Sequence, residues 1–323
     1  MEFIHSVLAQ NQNVTAGTVV SYDLPVNPLS HIMITVKAEQ NLANLPGYWS
    51  EMRGAIVKIE VLYKGSAIYS MSGCDAQDVA TLLLGFEQWG VNAHGKNGDY
   101  RTIMYLVPLG RKLYWPRECF PPSTRGELIL QITYGSPFGG WKDHQVQIET
   151  VEMPDAAPER YLRMTTLSVT PGAVGELDVE IPIGNPISDL ILFGTTIPLE
   201  TSDVKTITYV QVLIDNIRKF YSHANFETLH CMAGQYCQPP GYWEGHVHRL
   251  ILATPAQYHD TSVNIPKNHA CEQRLRIPFD INMDGEFILE TAGASDAVVR
   301  IYAGDQLALR VIPCEIVSAS RGV

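Results

Sequence analysis

The chain has 323 residues, 46% of them hydrophobic and 18% charged, and a formal net charge of −11. Such a composition fits a folded chain with much buried or interface surface and argues against disorder. Its acidity excludes wrapping of nucleic acid, which needs clustered Lys and Arg; the densest basic runs are pairs such as Arg111-Lys112 and Arg218-Lys219.

In chain order, residues 1–12 place Phe3, Ile4, Val7 and Leu8 on one helical face ahead of the first expected strand. This reads as a short arm that docks on a neighbouring subunit; without Lys or Arg it is poorly suited to a membrane surface. Runs of β-branched and aromatic residues bounded by Gly, Pro, Asn or Ser predict strands at 18–24, 31–38, 56–63, 102–107, 127–133 and 146–151. Within 56–63, Val57, Ile59 and Val61 alternate with Lys58 and Glu60, the period of a sheet with one wet face. A helix capped by Asp75 is predicted over 76–86, with Val79, Leu82, Leu83 and Phe86 on one face.

The proline-punctuated connector 154–160 divides an N-terminal domain, 1–153, from a C-terminal one, 161–323. The second half repeats the picture, with strands expected at 176–181, 189–195, 206–214, 247–253, 286–291, 297–302 and 307–312. Its helix, capped by Asn225 and running over 226–234, carries Phe226, Leu229 and Met232 as its apolar stripe. Long segments at 89–99, 111–125, 236–245 and 255–273 are rich in Gly, Pro, aromatics and His and are expected to gather at one end of a sandwich.

The two halves also share text. Leu24-Pro25-Val26-Asn27-Pro28-Leu29-Ser30 returns as Ile181-Pro182-Ile183-Gly184-Asn185-Pro186-Ile187-Ser188. Val61-Leu62 and Tyr69-Ser70 return as Val212-Leu213 and Tyr221-Ser222. Residues 100–108 return near 248–255, and Gly126-Glu127-Leu128-Ile129-Leu130-Gln131 returns as Gly285-Glu286-Phe287-Ile288-Leu289-Glu290. Blocks kept in one order point to a duplicated domain. A repeat of this length, all strands but for one short helix, fits an eight-stranded jelly roll better than an immunoglobulin-like sandwich. The expected fold is therefore all-β, two tandem eight-stranded jelly-roll sandwiches with one short helix in each.

Chemistry is sparse. His246-Val247-His248 on a strand puts two imidazoles on one face and resembles the metal motif of cupins, but the acidic ligand that a cupin needs is missing from Arg249 to Ala253. His230, Cys231 and Cys237 match no zinc module, and no Walker loop or Rossmann fingerprint appears. Ser30, Ser72 and Ser188 lack a nucleophile-elbow pattern, and Asp75, Asp78 and Asp99 read as cap or loop acids. Cys74, Cys119, Cys231, Cys237, Cys271 and Cys314 have no framework spacing and are expected to be reduced. Neither a positively charged leader with an apolar core nor a run of about 18 apolar residues occurs, so no signal peptide or bilayer span is expected. Gly47-Tyr48-Trp49 and Gly241-Tyr242-Trp243 are candidates for interface anchors, for sugar stacking, or for packing on the domain's own core. No catalytic, cofactor-binding or metal-binding residue is assigned, and no cofactor is expected.

On its ordered repeat, its helix at the same place in each half and its long loops, the whole chain resembles the double jelly-roll major capsid proteins of tailless icosahedral viruses. These form the adenovirus-hexon lineage, with compact versions in membrane-containing bacteriophages. The resemblance implies a structural, non-enzymatic protein forming pseudo-hexagonal homotrimers that tile an icosahedral shell. It further implies neighbouring trimers, a vertex (penton) protein and minor capsid proteins as partners and no direct contact with nucleic acid, and it leaves open whether an internal membrane lies beneath the shell. Its place would be the virion, after assembly in the host cytoplasm. The other readings are a two-module carbohydrate-binding or adhesion sandwich, a bicupin-type metalloenzyme, and a host-derived scaffolding sandwich.

Overall fold

The computed structural model describes residues 2–40, 52–85, 98, 100–135, 141–196, 204–237, 250–254, 257–260 and 274–321. The chain divides into two compact units: Met1–Leu162 with Gly241–Ala270 and Ser318–Val323, and Arg163–Pro240 with Cys271–Val317.

The first unit contains β1 (Ile4–Asn13), β2 (Val19–Asp23), β3 (Leu29–Gln40), β4 (Ile56–Tyr63), β5 (Ser66–Met71), α1 (Gly73–Leu84), β6 (Tyr100–Pro108), β7 (Leu128–Tyr134) and β8 (Trp141–Glu152). One sheet has the order β1-β8-β3-β6 and the other β2-β7-β4-β5, antiparallel throughout. Counted along the chain, the strands pair first-eighth-third-sixth and second-seventh-fourth-fifth, which is a jelly roll.

The chain passes into the second unit within β9 (Arg160–Thr165). There follow β10 (Leu167–Val169), β11 (Gly175–Glu180), β12 (Ile187–Phe193), β13 (Ile207–Ile214), β14 (Ile217–Asn225) and α2 (Phe226–Cys237). After a hairpin of β15 (Leu250–Thr254) and β16 (Gln257–Asp260), which groups with the first unit, come β17 (Arg274–Pro278), β18 (Ala297–Ala303) and β19 (Leu309–Ser318). With β10 as its first strand, this unit has sheets β10-β19-β12-β17 and β11-β18-β13-β14. The pairing order is again first-eighth-third-sixth and second-seventh-fourth-fifth, and each helix follows the fifth strand. The fold is all-β and doubled, as expected from the sequence.

Three of the five shared blocks fall at topologically equivalent places. The proline-rich block joins the second strand to the third in each unit, and the two dipeptide blocks lie on the fourth and fifth strands. Those strands form two-residue hairpins whose turn residues all have positive φ: Lys64 (50°) and Gly65 (82°) in one, Asp215 (51°) and Asn216 (61°) in the other. This is the twist that matches a right-handed strand pair. The remaining two blocks are not equivalent. Residues 100–108 form the sixth strand, whereas 248–255 overlaps β15, in the insertion before the sixth strand of the second unit. Gly126-Glu127 precedes the seventh strand, whereas Gly285–Glu290 forms no strand and reaches the sheet only through a bridge from Leu289 to Ile187.

Local readings are corrected by tertiary pairing. Residues 4–13 are not a helical face but the edge strand β1, paired with β8 from Ile4↔Glu152 to Asn13↔Gln145. The cap of α1 is Ser72, whose Oγ accepts from the Asp75 N–H at 3.1 Å; Asp75 sits inside the first turn. Gly73 is needed there because a Cβ would lie 2.6 Å from the Ile56 carbonyl oxygen. Val79, Leu82 and Leu83 are buried as expected. In β4 a register shift between Ile56 and Lys58 turns Val57 outward, 53% exposed, while Ile59 and Val61 stay buried. Of the long segments expected to gather at one end, 109–127 joins the sixth strand to the seventh; 89–97, 99, 238–245 and 261–273 lie outside the described residues. No helix among the described residues is long and apolar enough to cross a membrane.

Replacing Ser72 with alanine is expected to destabilise the protein by about 1 kcal/mol. The loss would appear as a lower denaturant midpoint with unchanged slope.

Candidate functional site

With no cluster of chemistry in the sequence, the candidate site is the end of each unit where the second strand turns into the third and the sixth into the seventh. Its frame is the repeated Asn-Pro-apolar-Ser. In the first unit β3 pairs with β8 at Leu29↔Glu152 and then at His31↔Val151, so Ser30 is skipped. In the second, β12 pairs with β19 at Ile187↔Glu315 and then Asp189↔Cys314, skipping Ser188. A bulge takes its residue off the ladder, and the buried backbone groups around it need partners elsewhere.

Both units supply those partners residue for residue. Leu29 exchanges two backbone hydrogen bonds with Phe120, both 2.9 Å, and Ile187 does so with Leu289 at 2.9 and 3.0 Å. The Ser30 carbonyl accepts from Leu109 N–H at 3.1 Å and the Ser188 carbonyl from Phe279 N–H at 2.9 Å. Pro28 and Pro186 accept from Met153 and Ile316, each at 2.8 Å. Asn27 Nδ2 donates to Glu152 Oε2 at 2.8 Å, and Asn185 Nδ2 to Glu315 Oε2 at 3.1 Å. Ser6 Oγ completes Glu152 at 2.6 Å, and Arg163 Nε completes Glu315 at 2.9 Å. The apolar residue after the first proline is held outward in both copies, Val26 at 44% and Ile183 at 48% exposure.

On this common frame the loops between sixth and seventh strands differ. In the first unit the buried Glu118 carboxylate receives Arg111 through its backbone N–H and Nε, both 2.8 Å, and Nη2, 2.7 Å, and Arg160 through Nε at 2.8 Å. Gly110 must be glycine, since a Cβ would lie 2.1 Å from the Glu118 carbonyl oxygen. Lys112, Arg160 and Arg111 stand 5.2, 5.6 and 5.8 Å from the Trp115 ring. Tyr114, at φ 57°, donates its N–H to Ser30 Oγ at 2.8 Å and meets Phe3 and His31 edge-on at 5.3 and 5.1 Å. In the second unit, buried Asp189 pairs with Arg276 at 2.8 Å, and the buried Asp280 carboxylate accepts from Gly285 N–H at 2.9 Å. Asp215 accepts from the Ser295 hydroxyl at 2.7 Å and the Ser295 and Asp296 N–H groups at 2.8 and 3.1 Å; these bonds lower its pKa.

Among the described residues the sequence candidates do not converge. His246 and His248 lie outside the described residues, as do Trp49, Trp243, Asp99 and Cys271. Among the described residues no group of three or more His, Cys, Asp or Glu is placed to hold a metal. His230 Nδ1–H donates to the Arg274 carbonyl at 3.1 Å, and burial lowers its pKa. Cys74, Cys119, Cys231 and Cys314 are free thiols; burial pushes Cys119 up to about 12, so it is no nucleophile at neutral pH. Asp78, read as a cap or loop acid, is instead fully buried and ion-paired with Arg53. The three serines have structural roles: a helix cap and two bulges.

Neither a protein-family model nor a curated protein matches the sequence. Solved structures do match. The major capsid protein of Sulfolobus Turreted Icosahedral Virus superposes with a TM-score of 0.69 at 13% identity, over 98% of this chain and 97% of that one. The major capsid protein P2 of bacteriophage PM2 gives 0.62 at 10% identity, over 98% of both chains. A PBCV-1 virus capsid protein gives 0.61 at 10% identity, over 98% of this chain and 94% of that one. The fold is the double jelly roll of viral major capsid proteins. At these identities the likeness is one of backbone architecture, so the double jelly roll is retained while nearly every side chain differs.

Burial, aided by the nearby charge of His5, lowers the pKa of His31 from 6.5 to about 4. The unfolded chain therefore takes up a proton near pH 6.5 that the folded chain refuses until about pH 4. Stability from this group is complete above pH 6.5 and falls as pH drops through that window, by a sum on the order of 3 kcal/mol. Burial shifts His144 and His230 in the same direction. Urea unfolding between pH 7 and 4 is expected to lose midpoint steadily, and less steeply in a His31→Gln variant.

Proposed function

We propose that this protein is the major capsid protein of an icosahedral virus, acting as a structural unit and not as an enzyme. The observation that carries the reading is two jelly rolls of identical strand order in one chain, a doubled architecture matched over nearly its whole length by capsid proteins. Supporting it, the buried charges close on one another, Arg53 on Asp78 and Arg111 on Glu118. Exposed Phe, Ile and Tyr side chains, including Phe3, Tyr114, Ile217, Ile281 and Phe287, suit a chain that completes its surface by association.

The working unit in this reading is a homotrimer. Three chains of two similar domains, 1–153 and 161–323 joined at 154–160, give six similar sectors, the shape that packs a shell of local sixfold neighbours. Each contact is heterologous, one domain of one chain against the other domain of the next, and a rotation by one third closes the ring. Obligate contacts of this kind bury on the order of 2,000 Å² or more. Neighbouring trimers, a vertex protein and minor capsid proteins complete the set of partners. The protein's place is the virion, after assembly in the host cytoplasm.

Mass photometry of the purified chain at micromolar concentration is expected to give a species of three chains, and negative-stain images a pseudo-hexagonal outline. A protein that stays monomeric under every condition would favour the carbohydrate-binding sandwich instead.

A further inference from the structure

We infer that the loop between the sixth and seventh strands of the first unit docks on the corresponding loop of the second unit in another copy of the chain. The inference rests on the shell-forming reading and names the surfaces that meet.

Both loops are pinned at equivalent points by equivalent bonds: Leu109 and Phe120 in one, Phe279 and Leu289 in the other. The scaffold is the same, but the charge is opposite. Residues 109–127 carry Arg111, Lys112, Arg117 and Arg125 against Glu118 and Glu127, a net charge of +2. Residues 279–296 carry Asp280, Asp284, Glu286, Glu290 and Asp296 with no Lys or Arg, a net charge of −5. The first loop closes Arg111 onto Glu118 internally and leaves Lys112, Arg117 and Arg125 at the surface. Arg117 reaches Glu159 at 3.9 Å with both side chains more than two-thirds exposed, too wet a pair to hold it. The second loop leaves Asp284, Glu286 and Glu290 exposed.

Each loop also presents apolar bulk among its charges. Tyr114 is 49% exposed and touches the 61%-exposed Phe3; Ile281 and Phe287 are 52% and 54% exposed. Opposite charges around apolar contacts attract, fix orientation and exclude wrong pairings. Like loops repel, so the pattern disfavours a two-fold contact of one loop with itself. It selects the heterologous contact that builds rings. The two complementary loops belong to the same chain, so the occupant of each is a second copy.

The test uses the full-length chain in four forms: unaltered, Lys112→Glu with Arg117→Glu, Asp284→Lys with Glu286→Lys, and all four changes together. Each double reversal is expected to raise the concentration of half-assembly by about tenfold or more, and the fourfold variant to recover most of that loss. The unaltered chain should assemble less well as salt rises, because exposed charges are screened. Unchanged thermal unfolding of the variants would exclude misfolding. Assembly that ignores both reversals, or a fourfold variant no better than either double, overturns the inference alone. An unaltered chain that never assembles overturns it together with the shell-forming reading.

Discussion

The bulge at Ser30, repeated at Ser188, is the constraint on which the rest depends. Skipping one residue detaches a short run of buried backbone from its own ladder, and each detached group must find a partner. The partners come from the loop between sixth and seventh strands, from the end of the eighth strand, and from an asparagine clamped to a buried glutamate. One irregular residue thus fixes the third strand, the eighth strand and a loop of nearly twenty residues to one another. Proline supplies the stiff entry, and asparagine reaches a carboxylate that would otherwise be costly to bury. The requirement is stereochemical, so few other sequences satisfy it.

That explains which parts of the fold were legible. The block ending in Asn-Pro-Leu-Ser could be matched to Asn-Pro-Ile-Ser because backbone geometry demands those residue types. Jelly-roll architecture followed from strand number and from the repeated helix. Where the demand is only for something apolar, matches are cheap. Residues 100–108 and 248–255 look alike as runs of hydrophobic residues yet occupy different positions in the topology. β1 read as a helix because Phe3, Ile4, Val7 and Leu8 satisfy a helical spacing, and only its distant partner β8 makes it a strand. Ser72 and Asp75 are both good caps three residues apart, and Asp75 N–H bonding to Ser72 Oγ decides between them. Of the candidate site, the sequence held the loops but not their meaning, since it does not reveal which loops share an end.

The two loops show how a duplicated scaffold diverges. In the first unit an acid at Glu118 gathers two arginines, and the fold around Gly110 closes on it. In the second the equivalent span has no cation at all, and the buried Asp280 carboxylate draws on the Gly285 backbone. The bonds to the bulge are common to both, so they constrain ancestry and stability; the charge is not, so it is free to encode which surface meets which. Duplication of a domain gives symmetry, and unequal loops then give that symmetry a direction.

Pairing the first strand with the eighth has a consequence for the order in which the molecule forms. β1 cannot close its sheet until β8 has been made, and β2 waits for β7. Contacts of such long sequence separation form slowly, because the loop-closure entropy comes before the reward. The eight jelly-roll strands of the first unit lie within residues 4–152, so on the ribosome they are complete before any jelly-roll strand of the second has left the tunnel. The nascent chain meets the problem of pairing identical topologies one domain at a time. A chain refolded from denaturant faces sixteen jelly-roll strands at once, with two equivalent sets of partners on offer, and exchange of strands between the halves is the error open to it.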